Sequence, residues 1–217
     1  SRDVMTLAHE MGHGVHQLLA AEQGELMSST PLTLAETASV FSEMLTFNAI
    51  LNAEKSEQTK RFMLADKIED MLNTVVRQVA FHNFENLVHT HRRDGELSSE
   101  QISQFWVETQ KQALGPSIRI DDSFKPIWAY VPHFVHSPFY VYAYAFGDCL
   151  VNALWQVYQD GSDPEFNTHY KTLLRSGGTV RFDSALAPFS LNPSAPEFWN
   201  KGLDMISSMI DRVEDLQ

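Results

Sequence analysis

His9, Glu10 and His13, in the run His-Glu-Met-Gly-His, combine residue types and a spacing that can do chemistry. An α-helix turns by about 100° per residue, so side chains four apart lie on nearly one face, one turn up. On a helix both imidazoles can aim a ring nitrogen at one point, with the Glu10 carboxylate beside it. Two imidazoles that hold a divalent ion, and a carboxylate that takes a proton from a water polarised by it, are the parts that metal-assisted hydrolysis needs. Zinc is the expected ion, because His-Glu-x-x-His is the form this set takes in zinc peptidases.

The surrounding stretch, Val4–Ala21, carries a helical pattern. Val4, Leu7, Ala8, Met11, Val15 and Leu18 follow a 3, 4, 7 spacing and are expected to form one apolar stripe facing a core. His9, His13 and His16 then fall on the opposite side. Gly12 and Gly14 each weaken a helix by up to about 1 kcal/mol relative to Ala. Their presence suggests that another backbone or a ligand comes close.

The chain has 217 residues and a formal charge of −12, long enough for one large domain or two small ones. The acidic balance argues against nucleic acid, whose binding needs a basic surface, and against polyanionic substrates. A single cysteine, Cys149, excludes an internal disulfide, fits the reducing cytoplasm, and reads as a small core residue. No 18-residue apolar run marks a membrane span. The first ligand follows the start so closely that the chain is expected to be the C-terminal part of a longer protein.

A loop over 22–33, with Gly24 and Pro31 as breakers, leads to a second helix expected from about Leu34 to Ala53. Leu34, Ala38, Phe41 and Leu45 make its apolar stripe, and Glu36, Ser39 and Glu43 its other face. Residues 57–92 carry one long helical pattern: Phe62, Ala65, Ile68, Met71 or Leu72, Val75, Val79. Ser98-Ser99-Glu100 opens a helix over Gln101–Leu114. The aromatic, proline-punctuated stretch 117–137 reads as loop with a short strand. Helices are then expected over Phe139–Tyr158, from Asp163-Pro164 to Arg175, and from Pro196 to about Asp215. Ser176-Gly177-Gly178-Thr179 lacks the Lys and the preceding strand of a phosphate loop and reads as a turn. Strand-like alternation is nearly absent, so the expected class is all-α.

A third ligand must come from elsewhere. Glu36, early in the second helix, is favoured by spacing, although Thr33-Leu34-Ala35-Glu36 also fits a capping box serving the helix end. Glu43, seven residues on, shares its face and is the rival; His16 is a third option. A metzincin would carry glycine and histidine where His16 and Leu19 stand, so that class is excluded.

The runs Arg-Asp-Val-Met-Thr-Leu-Ala-His-Glu-Met-Gly-His-Gly-Val-His (2–16) and Pro-Leu-Thr-Leu-Ala-Glu-Thr-Ala-Ser-Val-Phe-Ser-Glu-Met-Leu (31–45) resemble the M3 family of zinc metallopeptidases, in particular its oligoendopeptidase F branch. The likeness continues in Pro-His-Phe-Val-His-Ser-Pro-Phe-Tyr-Val-Tyr-Ala-Tyr-Ala-Phe-Gly (132–147), Leu-Arg-Ser-Gly-Gly-Thr (174–179) and Pro-Glu-Phe-Trp (196–199). The resemblance implies one Zn2+ per chain, held by His9, His13 and Glu36, with Glu10 as general base and oligopeptides as substrates. It implies that His133 and a following tyrosine, Tyr140 or Tyr144, donate hydrogen bonds to the reacting carbonyl. Tyr140 and Tyr144 are expected on one helix face, with Tyr142 pointing elsewhere and His136 at the surface. It also implies a helical bowl with a deep channel, whose N-terminal portion lies outside this sequence.

The resulting expectation is peptide-bond hydrolysis by an endopeptidase. A carboxypeptidase or peptidyl-dipeptidase would need a group to capture a free carboxylate, and none is assignable. A silent helical scaffold would retain the motif without the metal.

Overall fold

The first helix, α1 (Arg2–Ala20), carries the His-Glu-x-x-His run in a computed structural model that describes residues 2–216. Its faces are the reverse of the expected ones. Val4, Leu7, Met11, Val15 and Leu18 are exposed, Leu18 to 78%, whereas His16 is 3% exposed and His9 and His13 are half-buried. The cause is Gly12. A Cβ built there would sit 2.6 Å from the Ala38 carbonyl oxygen and from the Ser39 Cα. Only a residue without a side chain lets the two helices touch along the histidine face. Periodicity marks an apolar face, but a close backbone approach chose the other one.

Helix α2 (Thr37–Ala53) begins three residues later than expected, after a single 3₁₀ turn at Leu32–Leu34. Leu34, Ala38 and Phe41 are buried as the pattern predicts, but Leu45 is exposed. The long pattern over 57–92 divides into α3 (Glu57–Leu72), a π turn (Asn73–Arg77) and α4 (Gln78–His91). Leu64, Ile68, Met71 and Val75 are buried, while Phe62 and Leu72 are exposed; beyond the wider turn the buried face passes to Ala80 and Phe84 and leaves Val79 exposed. Helix α5 (Ser99–Leu114) starts at a complete capping box between Ser98 and Gln101 and ends at Gly115, where φ is +70°.

Residues 117–137 form no strand; the aromatic stretch is a 3₁₀ segment (Asp122–Tyr130) followed by the short α6 (His133–His136). Then come α7 (Tyr142–Asp160), α8 (Phe166–Arg175), α9 (Phe182–Leu186), a 3₁₀ turn (Ala187–Phe189) and α10 (Pro196–Asp215). Helix α7 starts later than expected because Phe139 has φ +60°, which no right-handed helix accepts. No strand occurs among the described residues, and the class is all-α.

The chain divides into two compact units, one made of the stretches up to Met71 and from Phe146 onward, the other of Leu72–Ala145. The first is built on Leu34, Phe41, Met44, Leu150, Leu154 and Phe198, all buried. Gly202 brings α10 against Cys149 of α7, where an added Cβ would lie 3.1 Å from the Cys149 carbonyl oxygen. Burial, with Asp148 adding to it, pushes the Cys149 thiol up to about 12. Iodoacetamide at pH 8 should leave native Cys149 unmodified and alkylate it fully in guanidinium, because only the thiolate reacts. The second unit packs on Phe81, Phe84, Trp106 and Val141, with the Trp106 indole N–H donating to the Phe124 carbonyl at 3.1 Å.

Candidate metal centre

In the first unit, α1 presents the His9 and His13 rings edge to face, 4.7 Å between centroids. Their Nε2 atoms are 3.1 Å apart, and each lies 3.4 Å from Oε2 of Glu36. These three are the one group among the described residues whose ligand atoms could surround a metal ion. His16, buried lower on α1 with Nε2 3.4 Å from the Thr30 hydroxyl, is not among them. Burial, then the charge of His13, holds its imidazole below the ordinary range.

Glu36 does not cap α2. It occupies the N-cap position without a side-chain capping bond, and its Oε2 instead accepts from the Ser39 hydroxyl at 2.7 Å. That bond turns the carboxylate toward α1. Gly147 of α7 lies beside it, where an added Cβ would stand in ordinary contact, 3.4 Å from the Glu36 Cβ. Glu43, seven residues further along the same face of α2, is not among these three and contacts His9 from its other side. His9 Nδ1 donates to Glu43 Oε1 at 2.6 Å. Because a carboxylate only accepts there, the ring proton lies on Nδ1 and Nε2 turns its lone pair inward. Carboxylate-to-histidine bonds of this kind fix the tautomer and orientation of metal-binding imidazoles.

The donor set fits a small divalent ion. Bonds of about 2.0–2.2 Å in a tetrahedron place ligand atoms about 3.3–3.5 Å apart, close to the three separations observed. Glu10, next to His9 on α1, is exposed.

In the second unit, His133 Nε2 and the Tyr144 hydroxyl hydrogen-bond at 3.2 Å, and the Tyr140 ring lies 5.7 Å from His133 and 5.4 Å from Tyr144. Tyr140 therefore joins the cluster although it precedes α7 rather than sharing its face. Tyr142 turns away toward His82, with rings 5.8 Å apart, and His136 is exposed. The left-handed Phe139 that sets Tyr140 apart from the helix donates its backbone N–H to the buried Glu85 at 2.8 Å. Nothing in the local sequence signals Glu85; a contact across 54 residues is needed to see it.

Asp148, on α7 in the first unit, carries no sequence signal either. It is buried beside Asn152, whose amide donates to it at 3.0 Å, and burial pushes its carboxyl up to about 6. In the unfolded chain this acid ionises near 3.8, so as pH rises from 4 to 6 the native state holds a proton that the unfolded state has lost, and stability falls. The shift corresponds to about 3 kcal/mol. Asp148→Asn should therefore gain stability relative to the unsubstituted chain by up to that amount between pH 4 and 7, as read by urea unfolding at each pH.

With this geometry in place, comparison with known proteins decides the family. The model of peptidase family M3 matches residues 1–205. The chain belongs to peptidase family M3. Among M3 relatives, oligopeptidase PepF of Bacillus subtilis (strain 168) is 29% identical over 217 residues, covering 99% of this chain and 32% of that protein. The chromosomal oligoendopeptidase F of Lactococcus lactis subsp. cremoris is 26% identical, covering 99% of this chain and 36% of that one. The chain thus spans about a third of the length of these relatives. A crystal structure of oligoendopeptidase-F from Enterococcus faecium superimposes with TM-score 0.84 at 25% identity, over 99% of this chain and 39% of that one. A solved structure from Chlamydophila abortus gives 0.88 at 28%, over 100% and 36%.

Proposed function

We propose that this chain carries the zinc-binding and proton-transfer residues of an endopeptidase that hydrolyses oligopeptides. One observation carries the reading: His9 Nε2 and His13 Nε2, on the helix that also bears Glu10, converge with Glu36 Oε2 from the start of α2 within 3.1–3.4 Å. Membership of a peptidase family whose matched relatives are oligoendopeptidases supports the reaction type.

His9, His13 and Glu36 would hold one zinc ion, which when bound acidifies a water and polarises the substrate carbonyl. Glu43 keeps His9 in the tautomer with Nε2 bare, and Ser39 keeps the Glu36 carboxylate turned toward the histidines. Glu10 accepts the proton of the attacking water and delivers it to the departing amine, which leaves as a neutral group. His133, Tyr140 and Tyr144 are the proposed donors to the oxyanion of the tetrahedral species, where one well-placed donor contributes roughly 3 kcal/mol.

Two measurements on the purified chain test this. Elemental analysis should find one zinc per chain, lost on replacing both His9 and His13; no zinc above background would favour a scaffold. A peptide blocked at both ends should be cut internally, shown by end-group analysis of the products. Zinc binding with cleavage only of peptides carrying a free C-terminus would replace the endopeptidase by a carboxypeptidase or peptidyl-dipeptidase.

A further inference from the structure

We propose that Lys67 is a positioning residue for the metal centre, acting through Glu43 on His9. The inference rests on the reading that His9 is a metal ligand. Four elements of the first unit meet behind that histidine. α1 supplies His9, α2 supplies Glu43, α3 supplies Lys67 and α7 supplies Asp148. Glu43 uses its two oxygens in opposite directions: Oε1 accepts from His9 Nδ1 at 2.6 Å, and Oε2 pairs with the Lys67 ammonium at 3.9 Å. Lys67 is well sheltered, its side chain only 13% exposed, so the pair is screened far less than a surface salt bridge.

The local charge balance explains why a cation is needed there. A cavity of about 370 Å³ opens beside the pair, lined by Met5, Glu43, Phe47, Asp66, Lys67 and Asp70. Three of those residues are carboxylates, Lys67 is the cation among them, and its charge also reaches buried Asp148. Without the ammonium, Glu43 shares that cavity with Asp66 and Asp70 and lies within reach of the charge of Asp148, with no cation on its outer oxygen. Like-charge repulsion then favours rotamers in which Glu43 turns away from His9. The His9 ring would lose the partner that fixes its orientation, and the three ligand atoms would no longer be held at one point.

The test is zinc affinity, by titration of the full chain against a competing chelator, together with the visible spectrum of the cobalt-loaded form. Lys67→Met should weaken zinc 10- to 100-fold and alter the cobalt bands, while Lys67→Arg should restore affinity to within threefold of the unsubstituted chain. In a Glu43→Gln background, Lys67→Met should cost nothing further, since it acts through that carboxylate. Lys67→Gln serves the same comparison where the methionine variant does not fold. Zinc affinity of Lys67→Met within threefold of the unsubstituted chain overturns the proposal, as does an undiminished loss on top of Glu43→Gln. A fall in the thermal stability of the metal-free chain alone, with affinity retained, also overturns it by making Lys67 merely structural. Absence of zinc binding by the unsubstituted chain instead sinks the metal reading on which the proposal rests.

Discussion

Glu10→Gln should bind zinc as tightly as the unsubstituted chain and lose nearly all peptide hydrolysis. The substitution keeps the size and the helix, and Glu10 is not among the atoms that converge on the metal position. What it removes is the ability to accept a proton, and a positioned general base is worth about 10²–10⁴ in rate. The measurement is turnover of a blocked oligopeptide by protein whose zinc content has been verified by elemental analysis. Loss of zinc in parallel with activity would mean that Glu10 acts on the site's integrity. Full activity with full zinc would remove it from the mechanism.

The second large effect concerns a residue with no functional group. Gly12→Ala places a methyl carbon where the Ala38 carbonyl oxygen and the Ser39 Cα are 2.6 Å away. Both are backbone atoms in α2, so no side chain can rotate aside, and α1 must move outward. Overpacking of this kind costs about 1–3 kcal/mol, and here the displacement also separates the histidines from Glu36 and Glu43. The expected result is a fall in unfolding free energy together with zinc binding weakened at least tenfold. Gly14→Ala is the matched control. Nothing lies within 4 Å of an added Cβ there, so the change should leave zinc affinity alone and stabilise α1 by up to about 1 kcal/mol. Equal behaviour of the two variants would show that helix propensity, not the α1–α2 approach, governs the first effect.

The sequence alone was enough wherever the decisive relation is local. His9, Glu10 and His13 are bound together by one turn of helix, so their types and spacing define the candidate chemistry before any packing is known. Glu36 could be favoured because it lies early in the next helix, and Pro196–Asp215 could be bounded because a proline starts it. Cys149 could be read as core from the apolar run around it, and it is buried.

What depended on a distant partner was hidden. The apolar stripe of α1 was visible but not the direction it faces, because that follows from how closely α2 approaches at Gly12. Glu36 and Glu43 share a helix face and a residue type. Only the tertiary packing separates them, one held by Ser39 toward the Nε2 atoms of the two histidines, the other paired with the far nitrogen of His9. Lys67 and Glu85 carry no motif at all, since their partners lie tens of residues away. Periodicity records the preferences of one segment; the orientation of a carboxylate or a helix face is set by whatever packs against it, and that is a property of the folded chain.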